Sequence, residues 1–162
     1  MFDDEIKQQT EALLDACRAA GRRVATAESC TGGLIAACLT EIAGSSDVVE
    51  RGFVTYSNEA KSESLGVPAA LIAKHGAVSA EVAEAMATGA LDNARAELAI
   101  SATGIAGPSG ATETKPVGLV YLGLCKRGQK PSHTRHIYSG GRAEVRLATV
   151  RTALAMLRAA AH

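Results

Sequence analysis

Ser29, Cys30 and Thr31 stand side by side, directly ahead of Gly32 and Gly33. Val24 and Ala25 lead into them as a strand-like pair, and a helix-like run, 34–42, leaves them. A chain that turns sharply from strand to helix points several unpaired backbone N–H groups at one spot, at the positive end of a helix dipole. A hydroxyl placed there is either a nucleophile beside an anion site or a plain helix N-cap. The pattern alone leaves both open.

Lys61 is the second residue able to do chemistry. It falls in the first turn of a helix that Ser57 or Asn58 would cap. A positive charge there opposes the helix dipole by about 0.3–1 kcal/mol. The same field favours the neutral amine, which is the form a lysine general base needs. The bland alternative is a lysine that reaches out into water. Cys30 competes as nucleophile, because a helix start favours thiolate. Activation by histidine has no good candidate. His75 adjoins a helix-ending glycine, His133 and His136 lie on an expected strand, and His162 is the terminal residue. That absence favours a Ser–Lys over a Ser–His arrangement.

Arg142 follows Ser139-Gly140-Gly141 at another helix start, where a cation is again out of place. It points to an anionic ligand or to a salt bridge. Arg146 is one turn further on, and Arg151 is expected to be solvated surface. A second glycine-rich loop, Gly104 to Gly110, follows another strand-like run. It lacks the dinucleotide spacing, and no Gly-Lys-Ser/Thr follows it. It is either a phosphate cradle of backbone N–H groups around Gly104 and Gly107 or a tight turn. Tyr56 and Thr103 end strands beside these features, where packing is the plain alternative.

The elements that must position these residues follow from periodicity and breakers. A helix is expected over 3–20, with Ile6, Leu13, Leu14 and Cys17 on one face. A buried strand follows over 22–27, then a helix to about residue 43. Residues 44–47 turn, and 48–55 form a strand with Gly52 as a possible bulge. Gly66-Val67-Pro68 separates two helices, and Gly76 ends the second. Ser79 caps a longer helix reaching about Arg95. Residues 97–103 form a strand, 117–125 and 132–138 pair around the 126–129 turn, and a last helix carries Arg142, Arg146 and Arg151. Strands separated by helices require crossovers, and thus a largely parallel sheet covered on both faces. The late hairpin adds an antiparallel member. The expectation is a single α/β domain over 1–162, with no internal repeat.

The bulk numbers exclude several functions. Seventeen basic residues balance 17 acidic ones, whereas nucleic-acid-binding domains usually carry a basic excess. Aromatics are 3% with no Trp, which disfavours a base-stacking platform. The four cysteines (Cys17, Cys30, Cys38 and Cys125) form no Cys-x-x-Cys pair, so neither a zinc site nor a disulfide framework is expected. That fits a reducing cytosol. The acidic N-terminus has no signal-peptide pattern, and no apolar run approaches the roughly 20 residues needed to span a bilayer. A cytoplasmic location, without membrane or nucleic-acid partners, is the expectation.

Taken in order, Ala27 to Gly33, Gly44-Ser45-Ser46, Gly52 to Lys61, His75 to Ser79, Gly104 to Pro108 and Lys115 to Gly118 resemble the CinA C-terminal domain family. Within it, they are most similar to the stand-alone, PncC-type nicotinamide-nucleotide amidases. The resemblance spans residues from about 5 to 160. It implies a three-layer α/β/α domain with a mixed, mostly parallel sheet of about five strands. It implies hydrolysis of the carboxamide of nicotinamide mononucleotide to nicotinic acid mononucleotide and ammonia, without metal or cofactor. By resemblance the nucleophile is Ser29 and the base Lys61, with Tyr56 in the catalytic group as a relay or support. Cys30, Thr31, Gly32 and Gly33 would hold the oxyanion through backbone N–H groups. Thr103, Gly104, Gly107 and Arg142 would contact substrate, the second loop and Arg142 at its phosphate. Relatives suggest a homodimer or higher homo-oligomer. Ser109 departs from the Asp or other small polar residue that relatives often carry. The activities of the larger N-terminal domain of full-length CinA proteins are not implied. The rival expectations are a non-catalytic nucleotide-binding domain and an interaction protein of the competence or DNA-damage response.

Overall fold

Every strand that ends near Ser29 does so because the first three strands run the same way. In the computed structural model, which describes residues 2–162, the strands are β1 (Val24–Glu28), β2 (Val49–Val54), β3 (Leu98–Gly104), β4 (Leu119–Lys126) and β5 (Ser132–Ile137). They form one sheet in the order β2-β1-β3-β4-β5. β1 pairs parallel with both β2 and β3, and β4 is antiparallel to β3 and to β5. Four of the five strands therefore point in one direction, and β4 alone opposes them. The sheet is mixed and mostly parallel, as expected.

The helices are α1 (Asp4–Ala19), α2 (Leu34–Thr40), α3 (Asn58–Leu65), α4 (Ala69–His75), α5 (Ala80–Asp92) and α6 (Arg142–Ala160). The chain moves from β1 to β2 through α2, and back across β1 to β3 through α3, α4 and α5. Right-handed crossovers taken in opposite directions place their helices on opposite faces. Accordingly α1, α2 and α6 cover one face, and α3, α4 and α5 the other. The first face is packed with long aliphatic side chains, among them Leu13, Ile35, Leu39, Ile100, Leu122 and Leu154. The second is built from smaller ones, Ala25, Ala27, Ala87, Ala90 and Ala99 around Met86 and Val82. A Cβ on Gly123 would overlap the Ala83 carbonyl, so α5 rides close to the sheet there.

Helix starts were largely legible. The Asp3 side chain accepts from Ile6 N at 2.9 Å, Ser57 from Ala60 N at 3.0 Å and Ser79 from Val82 N at 3.3 Å. Three details differ from expectation. α2 ends at Thr40, and a 3₁₀ turn over Ser45–Asp47 follows Gly44. α5 ends at Asp92, where the Arg127 guanidinium, from the distant hairpin turn, donates to the carbonyls of Leu91, Ala94 and Ala96. The β1–β2 register skips Glu50, so the bulge falls there and not at Gly52. Gly52 is needed for space: a Cβ would sit 2.8 Å from Thr26 Oγ1 and 3.3 Å from Ala36 Cβ. Among the described residues, no helix is long and apolar enough to cross a membrane.

Candidate active site

β2, β1 and β3 all finish at one end of the sheet, where ligands of open α/β sheets bind. Ser29 follows β1, Tyr56 follows β2 and Thr103 closes β3. Between them lies a small cavity of about 200 Å³. It is lined by Ser29, Cys30, Tyr56, Lys61, Thr103, Gly104 and Arg142, and by Asn58, Ala77, Val78 and Ala106.

Lys61 is the centre of it. Its side chain is 1% exposed, although it is a lysine. Its Nζ donates to Ser29 Oγ at 3.1 Å and to the Thr55 carbonyl at 3.0 Å. Burial pushes its pKa below the ordinary 10.5, because desolvation disfavours the charged form. Among the described residues it has no carboxylate partner. A solvated lysine is thus excluded, and Ser29 and Lys61, 32 residues apart, meet. The pair has the geometry of a nucleophile and its base.

Ser29 is not a helix cap. Its Oγ faces Lys61, and the N-cap of α2 is Gly33, which has no side-chain cap and a φ of 99°. The cap is supplied from behind. The Glu28 carboxylate, fully buried, accepts from Gly33 N (3.1 Å), Ile35 N (2.9 Å) and Ala36 N (2.8 Å). This corrects the expected oxyanion donors. Gly33 N–H is taken by Glu28, and Gly32 N–H by the Ser29 carbonyl at 3.0 Å. Cys30 and Thr31 N–H make no backbone bond. Thr31, Gly32 and Gly33 do not line the cavity. Thr31 instead offers its carbonyl to Arg146 Nη2 at 2.9 Å.

Cys30 is a poor nucleophile. Burial pushes its thiol up to about 12, so the thiolate is scarce at neutral pH. The histidines lie elsewhere: His75 is 3.4 Å from Glu81, His133 is 2.8 Å from Glu84, and among the described residues none lines the cavity.

Arg142 crosses the cavity's rim. It donates to the Gly107 carbonyl and to Tyr56 Oη, both at 2.9 Å, and forms no ion pair among the described residues. The salt-bridge alternative is thereby removed. Tyr56 is 62% exposed, and its hydroxyl bonds to Arg142 and to neither Ser29 nor Lys61. A proton relay through Tyr56 is not present in this arrangement. Arg151 is not free surface either: it pairs with Asp3 at 2.5 Å and Glu5 at 2.8 Å.

The second glycine loop is more structural than expected. A Cβ on Gly104 would lie 2.6 Å from Val120 Cγ2, and one on Gly107 2.6 Å from Val117 Cγ1. Gly107 does not line the cavity, and it shows Arg142 a carbonyl rather than an N–H. The Thr103 hydroxyl is committed to the Ala77 carbonyl at 2.8 Å. Sequence reasoning missed Glu28 as the cap and Asn58, Ala77 and Val78 as walls. Glu28 carried a signal, the one charged residue of a short strand, placed at its end. The others carried none.

A three-layer α/β/α domain with a buried lysine on a serine at the parallel strand ends defines one class. The chain belongs to the CinA C-terminal domain family, whose model matches residues 6–161. It is 50% identical over 146 residues to the nicotinamide-nucleotide amidohydrolase PncC of Escherichia coli K12, covering 90% of this chain and 88% of that one. It is 52% identical over 158 residues to a CinA-like protein of Citrifermentans bemidjiense, covering 98% of this chain but 38% of that protein. The crystal structure of a competence/damage inducible protein from Agrobacterium tumefaciens superposes with a TM-score of 0.95 at 51% identity, over 98% of this chain and 97% of that one.

Proposed function

We propose that the protein is an amidohydrolase that deamidates nicotinamide mononucleotide. The observation that carries the chemistry is the 3.1 Å contact between Lys61 Nζ and Ser29 Oγ at the cavity. The likeness to the E. coli amidohydrolase over nearly its whole length supports the substrate.

Neutral Lys61 takes the Ser29 proton as Oγ attacks the carboxamide carbon. The Cys30 N–H, which takes no backbone acceptor and belongs to a residue lining the cavity, receives the developing oxyanion. Protonated Lys61 then donates to the leaving amide nitrogen, which departs as ammonia. The acyl group remains on Ser29. Water, deprotonated by Lys61, attacks that ester and releases nicotinic acid mononucleotide and the free serine. The Thr55 carbonyl holds Nζ in place throughout, and the proton passes directly between Lys61 and Ser29.

The cavity is smaller than the roughly 300–1,000 Å³ typical of ligand pockets. The pyridine carboxamide enters it, and the ribose phosphate lies across the rim. There Arg142, paired with no carboxylate among the described residues, meets the phosphate. The test is ammonia release from nicotinamide mononucleotide by the purified protein, with the acid product identified by chromatography. No turnover above an enzyme-free control would sink the assignment. A non-catalytic nucleotide-binding domain would have no use for a desolvated lysine held on a serine.

A further inference from the structure

We infer that Glu28 is a positioning residue for this reaction: its buried carboxylate sets the turn that aims Ser29 at Lys61. The inference rests on the amidohydrolase assignment. Glu28 is the last residue of β1, the chain neighbour of Ser29, and is linked to Lys61 through Thr55. On one side its two carboxylate oxygens gather three backbone N–H groups, Oε2 those of Gly33 and Ile35, Oε1 that of Ala36. On the other side its main-chain carbonyl accepts from Thr55 N at 2.9 Å. The Thr55 carbonyl is the acceptor that holds Lys61 Nζ.

The turn needs such a clamp. α2 is seven residues long and has no cap from its own N-cap residue. Gly32 and Gly33 both sit at positive φ, 58° and 99°, where glycine is conformationally loose. Ser29 is tied at its N–H to the Ala102 carbonyl (2.9 Å) and at its carbonyl to Gly32 N–H. Around Gly32 and Gly33 the other ties are the Glu28 carboxylate, Arg146 and Leu34 N–H at the Thr31 carbonyl, and Ala37 N–H at the Gly33 carbonyl. The clamp also decides which donors stay free. It occupies Gly33 N–H and leaves those of Cys30 and Thr31.

Glu28→Gln preserves size but not the set of acceptors. One side of the amide is NH₂, so whichever way it sits, an N–H donor faces an N–H donor. A buried donor is then orphaned and the turn relaxes. Misplacement of a reacting group by about 1 Å can cost about 10²-fold in rate. The expected result is a folded variant whose kcat falls about 10–100-fold while KM stays within about threefold. Covalent labelling of Ser29 by a fluorophosphonate, followed by mass spectrometry, should slow in parallel. In the wild-type protein, hydrogen exchange should find the amides of Gly33, Ile35 and Ala36 protected.

Unchanged kcat and labelling in folded Glu28→Gln would overturn the inference, as would fast exchange at Gly33 in the wild type. A variant that does not fold, or loses activity only in proportion to its folded fraction, overturns it as well, because Glu28 would then hold the fold and not the turn. Failure of the amidohydrolase assignment looks different. Wild-type protein would then release no ammonia, while the effects of Glu28→Gln on Ser29 labelling would still decide the role of Glu28.

Discussion

The two glycine-rich loops follow equivalent parallel strands, yet they are built for different ends. In the first, a Cβ on Gly33, at φ 99°, would meet no overlap, only ordinary van der Waals contact with Val54 Cγ2 at 3.6 Å. It is glycine for its backbone, so that the chain can present Ser29. In the second, Gly107 at φ 85° is crowded by Val117, and its carbonyl anchors Arg142. It is glycine for both backbone and space. Under the proposed mechanism, one loop places the atom that reacts, and the other places the residue that holds the substrate.

That contrast can be broken at several points. Ser29→Ala should abolish ammonia release, by at least about 10³-fold in kcat, with the melting temperature little changed. Substantial turnover would move the chemistry elsewhere.

Lys61→Met should lower kcat by about 10²–10⁴-fold and raise the melting temperature. The sign follows from Lys61's lowered pKa. The unfolded chain binds this proton more readily than the folded one, so stability rises with pH as the amine is neutralised. The penalty is full below the folded pKa and fades as pH approaches 10.5. Removing the amine removes the penalty, and each kcal/mol gained is worth about 2–4 °C in a domain of this size. For the same reason wild-type kcat/KM should rise with pH along an acid limb whose apparent pKa lies below 10.5. A limb at or above that value would remove Lys61 as the base.

Arg142→Ala should raise KM about tenfold and change kcat much less, consistent with loss of a charge-assisted contact to phosphate. If kcat falls instead, the second loop acts on the chemistry and the contrast fails.

Gly107→Ala and Gly33→Ala compare the loops directly. The first should lose about 2–4 kcal/mol in denaturant unfolding, from backbone strain plus overlap with Val117. The second should lose about 1–2 kcal/mol, from strain alone. Equal losses would mean that space decides neither.

Much of this was readable from residue types. The order of elements and the capping by Asp3, Ser57 and Ser79 follow local rules, and so does the turn of strand into helix at Ser29. Lys61 was conspicuous because its charge opposes a helix dipole. What could not be read was which partners distant groups take. The pattern around Ser29 favoured a helix cap over a nucleophile until Lys61 was seen against its hydroxyl. Arg127 shortens α5 from 35 residues beyond its end, a contact that no window of sequence reports. Gly104 and Gly107 looked like phosphate ligands because composition does not distinguish an exposed N–H from a close approach of chains.

Arg146 closes the Thr31 carbonyl across 115 residues, and Arg142 reaches Tyr56 across 86. The site beside the first strand is therefore finished by the last helix. During synthesis the ribosome releases Ser29 and Lys61 well before α6 can dock. A nascent chain holding every residue of the Ser–Lys pair would still lack the support of its turn and the guard of its rim. The proposed hydrolysis should switch on only once α6 has docked, which makes activity a report on the folding of that helix.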